Sequence, residues 1–384
     1  MALDSTFVRA GNIINYVPIQ SAAGLAPYLD VDKYVLPANR LVMLNGTINI
    51  GDKYIQLSEG TVLRGWANAT IIYTDTGAAL RCSALDANVV LREFTIVAAS
   101  GSCVDLAGPI TRQLNMFFLG LIGNKAGTIT GFDVQAVKSC FISCADGITL
   151  DGTTNKFFFD GSVFYGITTG NSAITLDATL NASVADIVTS FFKFNDGTCI
   201  TAEIGYNVDE GKLRGSLVDG TATVLDGLSP ADIEWTMTDN TGIRDSRIAG
   251  HLSLDTEAET TISTQNTPVK VAGTTTPSAL NERFDHSNNR LTYKGDKPVL
   301  VNVRAFFAVG SGNNVELTFF LAKNGSVLAE TAVVVKIGSG NDQRTGSSGG
   351  ILEMETDDYI EIWAQNNAGT KNLTVESLTL TADA

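Results

Sequence analysis

Proline is scarce in this 384-residue chain, with eight in all, and so are histidine, with two, and charge, carried by 17% of residues. Few prolines leave most backbone amides free to pair in ladders. Two histidines (His251 and His286) and no Cys-x-x-Cys pair are too little for a zinc site. No phosphate-cradling glycine loop is present. No run of about 18 apolar residues could span a bilayer. The net charge of −15 argues against nucleic acid or an anionic membrane as partner. So little charge is unusual for a large free surface and points to surface covered by other chains. Residues 1–14 lack the basic-then-apolar layout of a secretion signal, so folding in a cytoplasm is expected.

The five cysteines (Cys82, Cys103, Cys140, Cys144 and Cys199) are odd in number and sit in apolar, strand-like contexts. Buried free thiols are expected rather than disulfides. Cys140 and Cys144 are spaced to share a metal in principle, but no metal and no cofactor is assigned.

Glycine is abundant, with 37 residues, and short apolar–polar alternations broken by Gly, Asn and Asp begin at Tyr34. That pattern predicts strands. The tetrad Ile-Thr-Leu-Asp starts at Ile148 and again at Ile174, and Ile-Thr-Ala-Glu follows at Ile200, each step being 26 residues. One apolar strand start per unit gives Leu80, Val104, Ile129, Ile148, Ile174, Ile200 and Val224, in steps of 24, 25, 19, 26, 26 and 24. A period in the twenties marks a solenoid. Helical periodicity and leucine-rich spacing are absent, so a right-handed parallel β-helix is expected. Its rungs lie about 4.8 Å apart. Ile148, Ile174 and Ile200 should form one inward ladder, continued by Leu150, Leu176 and Ala202. The aromatic runs at Phe117–118, Phe157–159 and Phe191–194 read as core stacking or as packing between chains.

The repeat fades after 246–255, and a Thr-, Ser-, Asn- and Pro-rich stretch follows. The composition shift marks a boundary near Asp255. Longer alternating strands then run to the end, with turn signals at Gly310–Asn314 and Asn324–Gly325. They predict an antiparallel jelly-roll sandwich. The fold class expected is all-β: a parallel β-helix over 31–255 and a jelly-roll head over 256–384. Residues 1–30 are set apart as a segment for attachment to a particle.

"RLTYKGDKPVLVNVRAFFAV", "FFLAKNGSVL" and "LEMETDDYIEIWAQN" resemble the jelly roll of the tumour-necrosis-factor and complement-head superfamily, in the version found at the ends of bacteriophage fibres and spikes. The third segment has no Gly before Asp358, so the match is partial and covers roughly 256–384. A β-helix followed by such a head resembles phage tail spikes and capsid fibres. The resemblance implies a homotrimer in a virion, joined to other virion proteins through the N-terminal segment and attached to a bacterial surface glycan or protein receptor.

Alternation in Ile-Thr-Leu-Asp turns Thr149, Thr175 and Thr201 outward, with Asp151, Asp177 and Glu203 in a second outer ladder. Carboxylates about 5 Å apart have the separation used by retaining glycosidases, and many spikes of this resemblance cleave surface polysaccharides. Three readings are therefore carried: turn-capping acids, a cation site, and a catalytic pair. Turn capping is preferred, because each acid precedes a turn-like residue and a catalytic pair needs unlike environments. Of the tryptophans Trp66, Trp235 and Trp363, the last is retained as a sugar-stacking candidate beside a packing role. Attachment is the preferred function; a polysaccharide depolymerase and a purely structural fibre are its rivals.

Overall fold

The computed structural model describes residues 16–83, 88–221, 223–295, 297–339 and 342–384. It divides into one compact unit running to residue 245 and another from residue 246, with residues 231–233 joined to the second.

The first unit is a parallel solenoid. Leu41–Gly51 lies on Val62–Tyr73, which lies on Thr95–Gly108, then Gly120–Gly131, then Phe141–Asp151, every pairing parallel. Ile148, Ile174 and Ile200 stack in register and are fully buried, as are Leu150 and Leu176, with Ala202 nearly so. Two expected rung positions shift. Val104 pairs with Gly127, and Gly127 with Ile148, whereas Ile129 pairs with Leu106 and Leu150. A reading that looks for an apolar start passes over glycine. Yet glycine is required there: φ is +132°, and a Cβ would stand 1.9 Å from the Val104 carbonyl oxygen. At the far end Ile200 pairs with Leu225, not Val224.

A corner recurs with one backbone conformation. Asn68, Glu93, Phe118, Ser139, Gly161, Thr189, Gly215 and Asp239 all have positive φ, between 48° and 64°. Each occupies the same place, two residues before paired positions such as Thr95, Gly120, Phe141, Val163, Phe191 and Leu217. Non-glycine residues rarely take this conformation. The coil holds it because six of these corner amides, from Glu93 to Gly215, donate to the next rung, as Phe118 does to the Lys138 carbonyl and Thr189 to that of Arg214. The next residue points inward, giving buried Ala69, Phe94, Leu119, Cys140, Ser162, Ser190 and Ser216. The serines are satisfied along the stack: Ser190 N–H donates to Ser216 Oγ, and Ser216 N–H to Asn240 Oδ1 at 3.0 Å.

Most of the aromatic runs fill the coil. Phe157, Phe159, Phe164 and Phe192 are buried, and Phe164 stacks on Phe192 in the next rung at 5.1 Å with planes 8° apart. All five cysteines are buried and unpaired. Burial pushes Cys82 and Cys199 up to about 12 and Cys140 to about 11. Cys144 lies beside the Cys103 thiol and is raised further by that contact and by burial. Thiols in this state are unreactive packing groups.

Residues 16–30 belong to the solenoid rather than to a separate segment. Tyr16–Ile19 pairs in parallel with residues 41–44, and the short helix Ala22–Leu25 buries Leu25 in the same core. The reason is local: Ile19 and Leu25 supply apolar cover for the first coil's open edge. The remainder of the expected attachment segment, residues 1–15, lies outside the described residues.

The second unit is a two-sheet antiparallel sandwich of jelly-roll type. One sheet runs Gly273–Pro277, Ala249–Glu257, Leu373–Asp383, Val299–Ser311, Arg344–Met354. The other runs Phe284–Ser287, Arg290–Tyr293, Tyr359–Asn366, Val315–Lys323, with Val333–Ile337 on the last strand. Ala249–Glu257 falls at the end of the expected repeat, but antiparallel pairing with Leu373–Asp383 places it here, upstream of the expected boundary at Asp255. Alternation alone fits either unit, and the pairing partner decides. Segment 350–366 holds parts of two strands and changes sheets at a turn where Asp357 has φ of +68°. Residues 344–350, rich in Gly and Ser, pair in register with Val299–Ser311. Phe307 and Phe319 stack across the two sheets at 4.0 Å. No helix among the described residues is long and apolar enough to cross a membrane.

Candidate functional site

Asp151, Asp177 and Glu203 arrive at one corner of three successive coils. The backbone ladder reaches them: Asp177 N–H donates to the Leu150 carbonyl at 3.0 Å and Glu203 N–H to that of Leu176 at 2.9 Å. Their side chains then part company. Asp177 closes a turn by accepting from Thr179 N–H at 3.0 Å and from Thr179 Oγ1 at 2.9 Å. The same Thr179 hydroxyl touches Asp151 Oδ1, while Asp151 Oδ2 accepts from Thr130 at 3.4 Å. One hydroxyl proton serves only one of two carboxylates, so Asp151 and Asp177 converge on a shared oxygen. The equivalent of Thr179 in the next coil is Gly205, and Glu203 is exposed. The Thr-to-Gly change separates the third acid from the pair. Among the described residues no group of three or more His, Cys, Asp or Glu is placed to hold a metal ion.

Trp363 sits on the outward side of Tyr359–Asn366, half-buried, opposite Phe320 and Lys270. Its indole N–H donates to Glu361 Oε2 at 3.0 Å, and the buried Glu361 is also held by the Lys270 ammonium. The ring is therefore fixed but not covered. Trp66 is exposed, and Trp235 is fully buried, its ring where a Gly211 Cβ would be.

The segments carrying the jelly-roll resemblance fold onto each other. Asn324–Gly325 forms a two-residue hairpin turn with both φ positive, joining Lys323 to Ser326. Asp358 then binds that hairpin, taking the Lys323 ammonium at 2.7 Å and the Asn324 amide, while its Oδ2 accepts from Glu355 N–H at 2.7 Å. Burial raises the Asp358 carboxyl, but these three donors outweigh it and hold the group below the ordinary aspartate value.

Sequence reasoning missed two uncovered apolar features. On the solenoid, Phe141, Val163, Phe191 and Leu217 form one outward column over four rungs, flanked by Phe118 and Tyr165; Phe141 is 46% exposed and Leu217 41%. On the sandwich, Leu300, Phe306 and Ile351 stand on the outer face of one sheet at 65%, 52% and 73% exposure. The column's steps of 22, 28 and 26 residues hide it from a fixed-period search.

No family model matches the chain, and no curated protein matches it. Among solved structures, Eiger TNF from S. frugiperda is similar at 12% identity over 36% of this chain and 92% of its own, with a TM-score of 0.26. Murine APRIL is similar at 8% over 35% and 99%, TM-score 0.26, and the globular domain of zebrafish complement 1qA protein at 15% over 35% and 94%, TM-score 0.21. Likenesses at these scores carry no argument about family, assembly or ligand.

Proposed function

We propose that this chain is the subunit of a trimeric fibre or spike of a bacteriophage particle, used to attach to a bacterial surface. The layout of solenoid followed by sandwich, which resembles such fibres, supports the reading. The observation that carries it is that each unit leaves an apolar face open, at Phe141 to Leu217 and at Leu300, Phe306 and Ile351. Isolated apolar residues on a surface are ordinary, but aligned ones suit cover by another chain. Three weak receptor sites on one trimer gain affinity together. Light scattering should return three times the chain mass of 40.6 kDa; a monomeric mass at micromolar concentration removes the basis of the reading. Labelled protein should stain host cells, and a failure to stain any host favours a purely structural fibre.

A depolymerase is the second reading, favoured by the convergence of Asp151 and Asp177 at an exposed corner. Release of oligosaccharides from host capsule or lipopolysaccharide, abolished by Asp151→Asn or Asp177→Asn, would establish it over attachment alone.

A further inference from the structure

We propose that the Asn45–Gly46 pair is a site of spontaneous covalent modification, at which the asparagine side chain closes on the next backbone amide and is converted to aspartate or isoaspartate. The inference stands apart from the attachment reading, because the chain itself supplies the groups that react with each other. The sequence holds two Asn–Gly pairs, Asn45–Gly46 and Asn324–Gly325. Glycine after asparagine leaves the amide nitrogen unshielded by a Cβ and the backbone free to turn toward the side chain. Both pairs share that chemistry, and the structure separates them.

Asn324 is clamped. Its side-chain amide donates to Asp358 Oδ1, its Oδ1 accepts from Tyr359 N–H at 2.9 Å, and its own N–H donates to the Tyr359 carbonyl at 2.9 Å. Gly325 is fixed beside it in the hairpin by the pairing of Lys323 with Ser326. Reaching the reactive geometry means breaking these bonds together.

Asn45 has no such hold. Along Leu41–Gly51 burial alternates as far as Leu44, then gives way to a run of exposed residues, Asn45, Gly46 and Thr47. The ladder to Val62–Tyr73 passes from the Asn45–Trp66 pair to the Thr47–Thr70 pair, so Gly46 has no partner residue in it. Gly46 has φ of +73°, and the nearest atom to a Cβ built there is the Gln20 carbonyl oxygen at 3.9 Å. The Asn45 side chain makes no hydrogen bond among the described residues. Nothing in the coil therefore keeps Cγ and the Gly46 nitrogen apart.

The chemistry needs only water and hydroxide from solvent. Hydroxide removes the Gly46 amide proton, and the nitrogen attacks Asn45 Cγ. A C–N bond forms as the Cγ–Nδ2 bond breaks, and Nδ2 leaves as ammonia. Water then opens the cyclic imide at either carbonyl, giving aspartate or isoaspartate. The first product adds a negative charge on the position opposite Trp66. The second adds a carbon to the main chain just ahead of Ile48, which is fully buried and pairs with Ile71. Register at that point decides which side chains enter the core.

The test incubates the full chain in warm, mildly alkaline buffer beside two synthetic peptides, residues 41–51 and 319–330, and follows each site by peptide mass mapping. Modification appears as a gain of about 1 Da, and chromatography resolves the aspartate and isoaspartate products. In the folded chain Asn45 should react within about tenfold of its peptide, whereas Asn324 should fall more than about tenfold behind its own. Asn45→Gln should abolish the gain at position 45 with an unchanged circular dichroism spectrum, and Gly46→Ala should slow it. Asp358→Ala, which removes one side of the clamp, should speed Asn324 and leave Asn45 unchanged. An Asn45 as slow as Asn324 in the folded chain overturns the proposal, and so does a gain that persists in Asn45→Gln. Indifference of Asn324 to Asp358→Ala overturns the account of why the two pairs differ.

Discussion

In the solenoid, Ile148 finds Ile174 one coil later; in the sandwich, Ala249 finds Asp383 at the other end of the unit. The first unit adds rungs that touch mainly their neighbours, so stability is close to a sum of local terms. The second closes only when its last strand, Leu373–Asp383, enters between Ala249–Glu257 and Val299–Ser311. Stacking like on like therefore lets the solenoid tolerate local damage, whereas the sandwich stands or falls as one body.

The sharpest way to break this contrast is to delete residues 373–384. The sandwich's calorimetric transition should vanish entirely while a solenoid transition remains; loss of both would mean that the units do not fold separately. A matched pair of core truncations comes next. Phe319→Ala and Phe164→Ala should each cost about 3–5 kcal/mol. Hydrogen exchange should rise throughout the sandwich in the first case and only in coils near residues 157–192 in the second. Uniform acceleration in both would erase the difference.

Asp358→Asn has a smaller effect, about 1 kcal/mol in the sandwich, and it carries a pH signature. The native carboxyl lies below its ordinary value. Its contribution is thus complete above the unfolded value of about 3.9 and is lost as pH falls through the native one. Acid melting of the sandwich should be shallower in Asp358→Asn below about pH 4; identical slopes would show that the hairpin clasp adds no pH-dependent stability. Least of all, Asp177→Ala should cost about 0.5–1 kcal/mol through loss of its turn, read as a small Tm shift of the solenoid alone.

The same contrast explains what the sequence made legible. Repetition of Ile-Thr-Leu-Asp exposed the rungs from 148 to 202, because a stack of like residues writes its period into the chain. Register failed only where side chains carry no signal, at Gly127, and where the repeat decays, at Val224. For the acids, spacing showed a shared corner, but Thr179 and Gly205 decide that two side chains converge and the third does not. Nothing in the sequence marks Asp186 as a buried, ion-paired carboxylate, since its neighbours Phe158 and Arg214 come from other coils 28 residues away in each direction.

By itself the sequence determined an all-β chain with a coil followed by a sandwich, because alternation and period report which side of a strand is apolar. Only the tertiary structure decided where one unit ends and the next begins. It also decided which outward residues meet across rungs, and which apolar faces stay open. Those outcomes depend on partner strands, and a strand's own residues fix its faces but not its neighbours.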